Sequence, residues 1–231
     1  MEINDLNLQS YNRIAEKFSF SRSYVWPDLQ KFKTYVQEGN KVLDLGCGNG
    51  RLVELFKDLD VEYLGVDGSF GLINSAKKSF PDKNFQVMDA LNLDLPENSY
   101  DVILCVSVLN HIAKENQQQF IDNLKKVLKP NGVLLLSNWS LWNIKGKKSV
   151  WHKVKDDKFP KAKFKDVWTL WKSTEVKEPL YYYAFTKREV TKLLNKNDFE
   201  IIEAYYSKKG QKTNILYGEN IVTIARNKKT K

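Results

Sequence analysis

Short apolar runs alternate with helical patterns between residues 41 and 139. The runs are KVLDL (41–45), EYLGVD (62–67), NFQVM (84–88), DVILCVSV (101–108) and GVLLLSNW (132–139). Helical patterns follow the first, second and fourth runs, at about residues 50–58, 69–79 and 115–128. Near-continuous apolar strands that alternate with helices predict a doubly wound parallel sheet with helices on both faces.

The alternation stops after residue 139. Residues 140–180 are polar, basic and aromatic with little periodicity, so we interpret them as an insertion or lid. Thr186 and Glu189 have the spacing of a capping box, which begins a further helix. FEIIEAYYS (199–207) and ENIVTIAR (219–226) follow without a long helix between them, so they should pair as a terminal antiparallel hairpin. A nicotinamide-binding domain would continue with parallel strands instead.

Positive charge is concentrated late in the chain. The net charge is +9, yet residues 1–138 hold 15 Lys and Arg against 18 Asp and Glu, whereas residues 139–231 hold 22 against 10. Five of the six tryptophans fall between residues 139 and 171. A basic, aromatic-rich segment on an acidic body fits a polyanionic partner. A Lys-rich solvated surface accounts for the same charge equally well.

The length of 231 residues and a hydrophobic content of 42% fit one ordinary α/β domain. No apolar run is long enough to span a membrane, and the polar first residues lack a signal-peptide pattern. Cys47 and Cys105 in such a chain indicate a reducing compartment, so we expect a cytoplasmic protein. No His and Cys spacing is that of a metal site, so we expect no metal.

The first predicted strand runs directly into a glycine-rich turn. Gly46, Gly48 and Gly50 alternate in this turn, and a helical pattern follows at once. Glycine is needed where the backbone takes a positive φ or where a ligand touches the main chain, and the start of a helix attracts an anionic group. Asp67 ends the next strand, where a carboxylate can accept hydrogen bonds from ribose hydroxyls.

The spacing of the turn distinguishes between nucleotide cofactors. A dinucleotide fold favours G-x-G-x-x-G, whereas residues 44–50 read D-x-G-x-G-x-G. The additional Asp44 can meet an ammonium group, and Asp89 at the end of the third strand can contact an adenine edge. A nucleoside that carries an amino acid fits these groups, which indicates S-adenosylmethionine. A tight turn beside two solvent-facing aspartates is the structural alternative.

Residues 36–139 resemble the class I S-adenosylmethionine-dependent methyltransferases. The matching segments are VLDLGCGNG, YLGVDGS, FQVMDALNLDLPENSYDVILCVSVLNHI and LKPNGVLLL. The resemblance implies a Rossmann-like seven-stranded sheet that ends in an antiparallel hairpin. The further cofactor contacts that we expect are Tyr11, Cys47, Asn49, Gly68, Ser69, Ala90, Leu91, Val106 and Ser107. The expected organisation is an N-terminal helical segment over the cofactor site (1–35), a cofactor-binding core (36–139), a basic aromatic lid (140–183) and a completing helix and hairpin (184–231).

A narrower resemblance lies outside the core. YNRIAEKFSFSRSYVWPDLQKF (11–32) and DVWTLWK…EPLYYYAFTKREVTKLL look like the methyltransferases that esterify a carboxymethyl group on a tRNA wobble uridine. The acceptor contacts that this resemblance implies are Arg22, Trp26, Trp139, Tyr181 and Tyr182, with His111 as a catalytic-site residue beside Arg22. It also implies tRNA, and in some members a small activating protein, as partners. The family has an Arg and a His around the tandem tyrosines, where this chain has Leu180 and Tyr183.

The chemistry that follows is a displacement at a sulfonium methyl group, for which an enzyme mainly supplies alignment. A carboxylate acceptor is already deprotonated at neutral pH and needs no general base. Without an Arg at position 180, Arg22 would hold that carboxylate alone, or the acceptor carries none. His111 is then a polar contact or an ordinary loop histidine, and His152 among lysines is a surface residue.

Two other functions remain open at this stage. The first is a methyltransferase for a quinone or other lipid-like small molecule, for which the aromatic segment would form an apolar pocket. The second is an RNA-binding protein that keeps the cofactor only as a structural ligand. Salt dependence separates them, because phosphate contacts weaken steeply with salt and a neutral small acceptor shows little slope.

Overall fold

The computed structural model describes residues 2–144, 163–173 and 176–228. Its α-helices are α1 (Ile3–Ser21), α2 (Phe70–Ser79), α3 (Gln117–Val127) and α4 (Lys187–Lys196). Its strands are β1 (Lys41–Leu45), β2 (Glu62–Asp67), β3 (Asn84–Val87), β4 (Tyr100–Val106), β5 (Leu128–Trp139), β6 (Asp166–Lys172), β7 (Lys177–Tyr183), β8 (Phe199–Lys208), β9 (Gln211–Thr213) and β10 (Asn220–Asn227). Short 3₁₀ helices span Pro27–Tyr35, Arg51–Phe56, Leu109–His111 and Lys114–Asn116.

One sheet has the strand order β3-β2-β1-β4-β5-β10-β8-β9. The first five of these strands are parallel, and β10 lies antiparallel between β5 and β8. The predicted α/β class and the terminal antiparallel hairpin are therefore confirmed. Since the chain leaves β1 for β2 on one side and returns to β4 on the other, a crevice opens at the carboxyl ends of β1 and β4.

Two apolar cores cover the two faces of the sheet, because successive side chains of a strand point to opposite sides. Leu43 and Leu45 face one core together with Phe120 of α3. Val42 faces the other core together with Phe32 from the 3₁₀ helix before β1. Burial on both faces explains why the strands have near-continuous apolar sequences rather than alternating ones.

Three features differ from the expectation. The sheet has eight strands rather than seven, because the short β9 adds an edge. The helix expected at about 50–58 is a six-residue 3₁₀ helix, Arg51–Phe56, which follows a left-handed Gly50. Residues 166–172 and 177–183 of the expected lid pair as the antiparallel hairpin β6–β7, whose two faces are both apolar and so give no alternating pattern. Trp151, His152 and Lys161 of this segment lie outside the described residues.

Helix α1 packs across the carboxyl ends of the strands. A Cβ on Gly71 would lie 2.7 Å from the Cβ of Ala15, so only glycine permits this approach of α2 to α1. Asn12 Oδ1 accepts hydrogen bonds from the Ser69 hydroxyl (2.8 Å) and the Gly71 N–H (3.2 Å). These contacts fix α1 to the start of α2.

A second attachment joins α1 to β7. Asn7 Nδ2 donates to the Tyr181 carbonyl (3.1 Å), and the Tyr181 N–H donates to Asn7 Oδ1 (2.7 Å). The side-chain amide thus satisfies both backbone groups of a buried residue. Through these bonds α1 and β7 together cover the crevice. Among the described residues no helix is both long and apolar enough to cross a membrane.

Candidate active site

A cavity of about 220 Å³ occupies the crevice between the strand ends and α1. Its floor contains the glycine turn and the residues that end the neighbouring strands, namely Gly46, Cys47, Gly48, Asn49, Asp67, Gly68, Asp89, Ala90, Val106 and Ser107. Its cover and mouth contain Tyr11, Arg22, Trp26, His111, Trp139 and Tyr182. The fold therefore gathers sixteen of the expected site residues around one opening, which is where α/β sheets of this topology bind ligands.

The glycine turn fits tightly on one side and leaves room on the other. Gly46 has a φ of +70°, and a Cβ there would lie 2.1 Å from Val108 Cγ2. Gly48 has a φ of +57°, and a Cβ there would meet nothing within 4 Å. Because Gly48 lines the cavity, its bare backbone leaves space that a bound ligand can enter.

Asp67 holds this turn in place. Its Oδ2 accepts from the Gly48 N–H (2.9 Å) and its Oδ1 accepts from the Ser69 N–H (2.8 Å). Burial raises the pKa of Asp67, and the two backbone hydrogen bonds oppose that rise. A carboxylate has about four lone-pair sites, so two remain available for hydroxyl groups of a ligand.

Asp89 lies on an exposed part of the rim after β3. Its oxygens accept from the Leu91 N–H (2.9 Å) and from Asn92 Nδ2 (2.8 Å). The turn that these bonds form presents Met88, Asp89 and Ala90 to the cavity. This part of the rim combines an apolar side chain with backbone groups and can therefore accommodate a flat heterocycle.

Five expected residues lie outside the cavity lining, and for Asp44 the expected direct contact with a ligand is wrong. The buried Asp44 side chain turns toward Tyr63, whose hydroxyl donates to Oδ2 at 2.7 Å. Burial raises the pKa of Asp44 to about 7 despite this hydrogen bond. The other four residues are Gly50, Ser69, Leu91 and Tyr181.

Gly50, Ser69 and Leu91 each have a structural task. A Cβ on Gly50 would lie 2.7 Å from the Phe85 ring, so Gly50 permits close packing. The Ser69 hydroxyl caps α2 by accepting from the Leu72 N–H at 3.2 Å. Leu91 belongs to the buried core.

The tandem tyrosines divide between the two faces of β7. Tyr182 lines the cavity, whereas the Tyr181 ring packs on Trp168 at 5.5 Å and its hydroxyl donates to Asp166 (2.7 Å). Successive strand residues point to opposite faces, so Tyr181 and Tyr183 share the core side. The expected acceptor contact of Tyr181 is therefore wrong for its side chain.

His111 is held by hydrogen bonds at both ring nitrogens. Nδ1 lies 2.8 Å from the Tyr181 carbonyl, which can only accept, so we assign the proton to Nδ1. Nε2 then accepts from the Tyr11 hydroxyl at 2.9 Å. Burial lowers the pKa of His111 to about 4, so the ring is neutral at pH 7. His111 thus orients Tyr11 and has no free nitrogen for a general base.

This burial predicts a pH effect on stability. The pKa of His111 is about 4 when folded and near 6.5 in an unfolded chain, so the unfolded state binds a proton first as pH falls. We expect protonation of His111 in the unfolded chain to lower the free energy of unfolding by about 3 kcal/mol as pH falls from 7 to 4. Urea unfolding of the wild type and of His111→Asn at several pH values measures this.

The wild type must be compared with the His111→Asn variant because Asp44 also takes up a proton over this pH range. Its pKa of about 7 when folded lies above the ordinary value, so its protonation favours the folded state as pH falls below 7. The two groups therefore oppose one another in the wild type, and only the difference between the proteins isolates His111. An unfolding free energy difference that stays constant from pH 7 to 4.5 would contradict the proposed buried, neutral histidine.

Aromatic rings form one wall of the cavity. Trp139 and Tyr182 are stacked with ring centroids 5.3 Å apart and planes 2° apart, and the His111 ring lies 4.4 Å from that of Tyr182. At the mouth, the Arg22 guanidinium lies 5.5 Å from the Phe18 ring and 5.8 Å from the Trp26 ring. Such a wall can stack on a flat, uncharged ring of a ligand, with the Arg22 cation beside it.

Several residues that line the cavity were not among the predicted site residues. The main ones are Asn4, Asn7, Leu8, Phe18, Arg51 and Trp171. Those in α1 have a detectable signal, since positions 4, 8, 11, 18 and 22 recur at steps of three, four and seven and so share one helical face. Arg51 follows the glycine turn directly, whereas Trp171 is brought in by the hairpin that was not predicted.

Comparison with known proteins agrees with this geometry. The family described as "Methyltransferase domain" matches residues 43–136, which run from β1 into β5. This part of the chain is thus similar to a methyltransferase domain. The resemblance to class I S-adenosylmethionine-dependent methyltransferases is thereby confirmed. The turn, Asp67 and the strand ends that line the cavity all lie within or beside the matched residues.

Alignments with curated relatives extend beyond residues 43–136 of this chain. A Schizosaccharomyces pombe protein named tRNA (carboxymethyluridine(34)-5-O)-methyltransferase is 26% identical over 212 residues, which cover 87% of this chain and 91% of that protein. The Saccharomyces cerevisiae protein of the same name is 30% identical, over 67% of this chain and 57% of its own length. Mouse ALKBH8, with the same activity in its name, is 32% identical, but the match spans only 20% of its length.

Solved structures share the fold. A methyltransferase from Methanosarcina mazei described as SAM-dependent has a TM-score of 0.69 at 23% identity, over 85% of this chain and 96% of that one. The methyltransferase in a complex with the Trm112 activator from Haloferax volcanii has a TM-score of 0.70 at 14% identity, over 100% of this chain and 99% of that one. At these identities the likeness concerns the fold alone.

Proposed function

We propose that this chain transfers a methyl group from S-adenosylmethionine to the carboxylate of a carboxymethyl-type uridine at the tRNA wobble position, which gives the methyl ester. The observation that supports it best is the cavity itself. It combines a glycine turn and Asp67 with a mouth that is cationic and aromatic. Among the described lining residues the one histidine is His111, and both of its ring nitrogens are hydrogen bonded, so it cannot act as a general base. A carboxylate acceptor suits such a site because it needs no base.

The cofactor side of the proposal uses the floor of the cavity. Asp67 would accept hydrogen bonds from the ribose hydroxyls, and the turn from Gly46 to Asn49 would face the amino-acid end. Met88, Asp89 and Ala90 would border the adenine. S-adenosylmethionine supplies an electrophilic methyl group on a sulfonium. The open space at Gly48 is consistent with a ligand that approaches the backbone there.

The acceptor side of the proposal uses the mouth. Arg22 would bind the carboxylate of the uridine substituent, while Trp26, Trp139 and Tyr182 would border the base. His111 would fix the Tyr11 hydroxyl in the cavity. The chain would then act by aligning two reactants and excluding water.

The proposed partners follow from the same reaction. The substrate would be tRNA, and basic residues in the described part of the 140–183 segment, such as Lys163 and Lys172, would contact its phosphates. A small activating protein is part of the proposal, since Phe70 and the edge-strand residue Val87 are exposed apolar side chains. We also propose the cytoplasm as the compartment, where two free, buried cysteines stay reduced.

Labelled S-adenosylmethionine tests this function directly. The purified protein is incubated with total tRNA, and half of each sample is treated with mild alkali. Label on tRNA that alkali removes is the expected result, because a methyl ester hydrolyses readily. Alkali-stable label would move the acceptor to a nitrogen, carbon or hydroxyl. No label, with cofactor binding intact, would favour a small-molecule acceptor or require the activating partner.

Lysines in and just before the β6–β7 hairpin give a second test. Lys165 forms an ion pair with Glu189, so the exposed Lys163 and Lys172 are the better choices. The double change Lys163→Gln and Lys172→Gln should weaken tRNA binding about 3- to 10-fold at low salt by removing phosphate contacts. Filter binding over a salt series, with S-adenosylhomocysteine affinity measured in parallel, checks both parts.

Lys126→Gln is the matched control. Lys126 is exposed near the end of α3, which leads into the amino end of β5, opposite the cavity. It should leave tRNA affinity unchanged. Equal tRNA affinity and equal salt slope in the double variant and this control would remove the hairpin from the proposed RNA contact.

A further inference from the structure

Arg51 lies at the cavity mouth near Arg22, the residue expected to hold a carboxylate. Its Cζ is 4.3 Å from the centre of the Trp26 ring, and the Arg22 Cζ is 5.8 Å from the same ring. Both arginines are half-buried and line the cavity. Within the part of the chain that the structure describes, neither guanidinium forms an ion pair with a carboxylate.

This arrangement is costly without an anion. Burial and the nearby charge of Arg22 lower the pKa of Arg51 to about 10, so the Arg51 guanidinium is still cationic at neutral pH. Asp44 is the acid whose charge acts on Arg51, but the two form no ion pair: Asp44 Oδ2 accepts from Tyr63, and its buried Oδ1 has no hydrogen-bond partner among the described residues. Two partly desolvated cations without a paired carboxylate are a binding site for an anionic group.

The spacing of the two arginines is built into the fold. Asn49 Nδ2 donates to the carbonyls of Ser19 (3.2 Å) and Arg22 (3.1 Å). Asn49 belongs to the glycine turn that immediately precedes Arg51, so this side chain ties the end of α1 to that turn. The two guanidiniums are therefore preorganised on one indole rather than carried by independent loops.

Position 180 cannot supply a second cation. Leu180 is only 1% exposed and packs in the cluster with Ile14 and Tyr182. A carboxylate has two oxygens and is held best by more than one charge-assisted donor pair. The cavity offers such donors from Arg22 at the end of α1 and from Arg51 directly after the glycine turn.

We propose that Arg51 and Arg22, held against Trp26, form the carboxylate-binding site of this chain, with Arg51 as the cation that compensates for Leu180. The carboxylate belongs either to the amino-acid end of S-adenosylmethionine or to the acceptor uridine. The acceptor alternative rests on the proposed function, whereas the cofactor alternative needs only cofactor binding. A planar guanidinium, rather than any positive charge, is required at position 51.

Binding and transfer measurements on Arg51→Gln, Arg51→Lys and the control Arg188→Gln test this proposal. Arg188 is exposed on α4 and has the same side chain. Binding uses S-adenosylhomocysteine and 5′-methylthioadenosine, which lacks the amino-acid end. Transfer uses an anticodon stem–loop with carboxymethyluridine. Thermal melting establishes folding, and Arg51→Lys keeps the charge should Arg51→Gln fail to fold.

Either of two results supports the site. Arg51→Gln that loses about 10- to 100-fold in S-adenosylhomocysteine affinity but keeps 5′-methylthioadenosine affinity identifies the cofactor carboxylate. Unchanged cofactor binding with a KM for the stem–loop raised about 10-fold or more identifies the acceptor carboxylate. In each case Arg51→Lys should show a partial loss.

One result would contradict the carboxylate site, and a different result would contradict the proposed function. Arg51→Gln that matches Arg188→Gln in both assays would overturn the carboxylate site. A wild-type protein that methylates no stem–loop would instead contradict the proposed function. The comparison of the two nucleosides would then still decide the site, with a selective loss in Arg51→Gln supporting it and equal affinities overturning it.

Discussion

Asp67→Asn is expected to weaken S-adenosylhomocysteine binding by about 100-fold or more, since two hydrogen bonds from ribose hydroxyls to a carboxylate are worth about 3 kcal/mol together. The structure adds a second reason. Asp67 accepts from the backbone N–H groups of both Gly48 and Ser69, and an amide can accept only at its one oxygen. The substitution therefore disturbs the turn that faces the amino-acid end as well.

Isothermal titration of the variant with S-adenosylhomocysteine measures this effect. Asp198→Asn serves as a control, because Asp198 is an exposed carboxylate that pairs with Lys125. Thermal melting of both variants separates lost binding from lost folding. An Asp67→Asn protein that melts like the wild type and binds within about threefold of it would show that the ribose site has been misplaced.

Gly48→Ala should reduce cofactor affinity by about 10-fold or more, because the added methyl group enters the space proposed for the ligand. The strain of placing alanine at a positive φ can be measured separately at Gly39. Gly39 has a φ of +73°, and a Cβ there also meets nothing within 4 Å, but Gly39 lies in the turn before β1 and outside the cavity. Both substitutions therefore carry the same kind of left-handed strain, about 1 kcal/mol.

Titration of Gly48→Ala and Gly39→Ala side by side checks this expectation. Both proteins should melt at similar, slightly lowered temperatures, and only Gly48→Ala should bind S-adenosylhomocysteine weakly. Wild-type affinity in both variants would mean that no ligand approaches the backbone at Gly48. A loss in Gly39→Ala as large as that in Gly48→Ala would assign the effect to backbone strain.

The sequence predicted the sheet well because its strands are buried on both faces. A continuous apolar run such as residues 101–108 has few alternatives to a central parallel strand, and the glycine turn marks where β1 ends. The capping box of Thr186 and Glu189 is present at the start of α4 for the same local reason. These signals depend only on neighbouring residues.

The acceptor side could not be predicted in the same way. Asn7 and Tyr181 are hydrogen bonded across 174 positions of sequence, and no local pattern indicates such a pairing. The hairpin that carries Tyr182 is apolar on both faces, so it gave no strand periodicity. For that reason the sequence did not reveal which of the tandem tyrosines faces the cavity, nor that Arg51 and Arg22 meet at Trp26.

Asp44 illustrates a different gap. Its place in the D-x-G-x-G-x-G pattern suggested a ligand contact, yet its side chain points to the same face of β1 as Val42 and meets Tyr63. Strand alternation determines the face, but the contact with Tyr63 depends on the register between β1 and β2. Register is a property of the assembled sheet, so a single motif does not provide it.

The most direct test of the central claim uses two anticodon stem–loops that differ only in the wobble uridine. One carries a carboxymethyl group and the other is unmodified, and each is incubated with labelled S-adenosylmethionine and this protein, with the activating partner added if one is required. The proposed function predicts alkali-labile label on the carboxymethylated stem–loop alone. Equal labelling of both, or alkali-stable label on either, would contradict it.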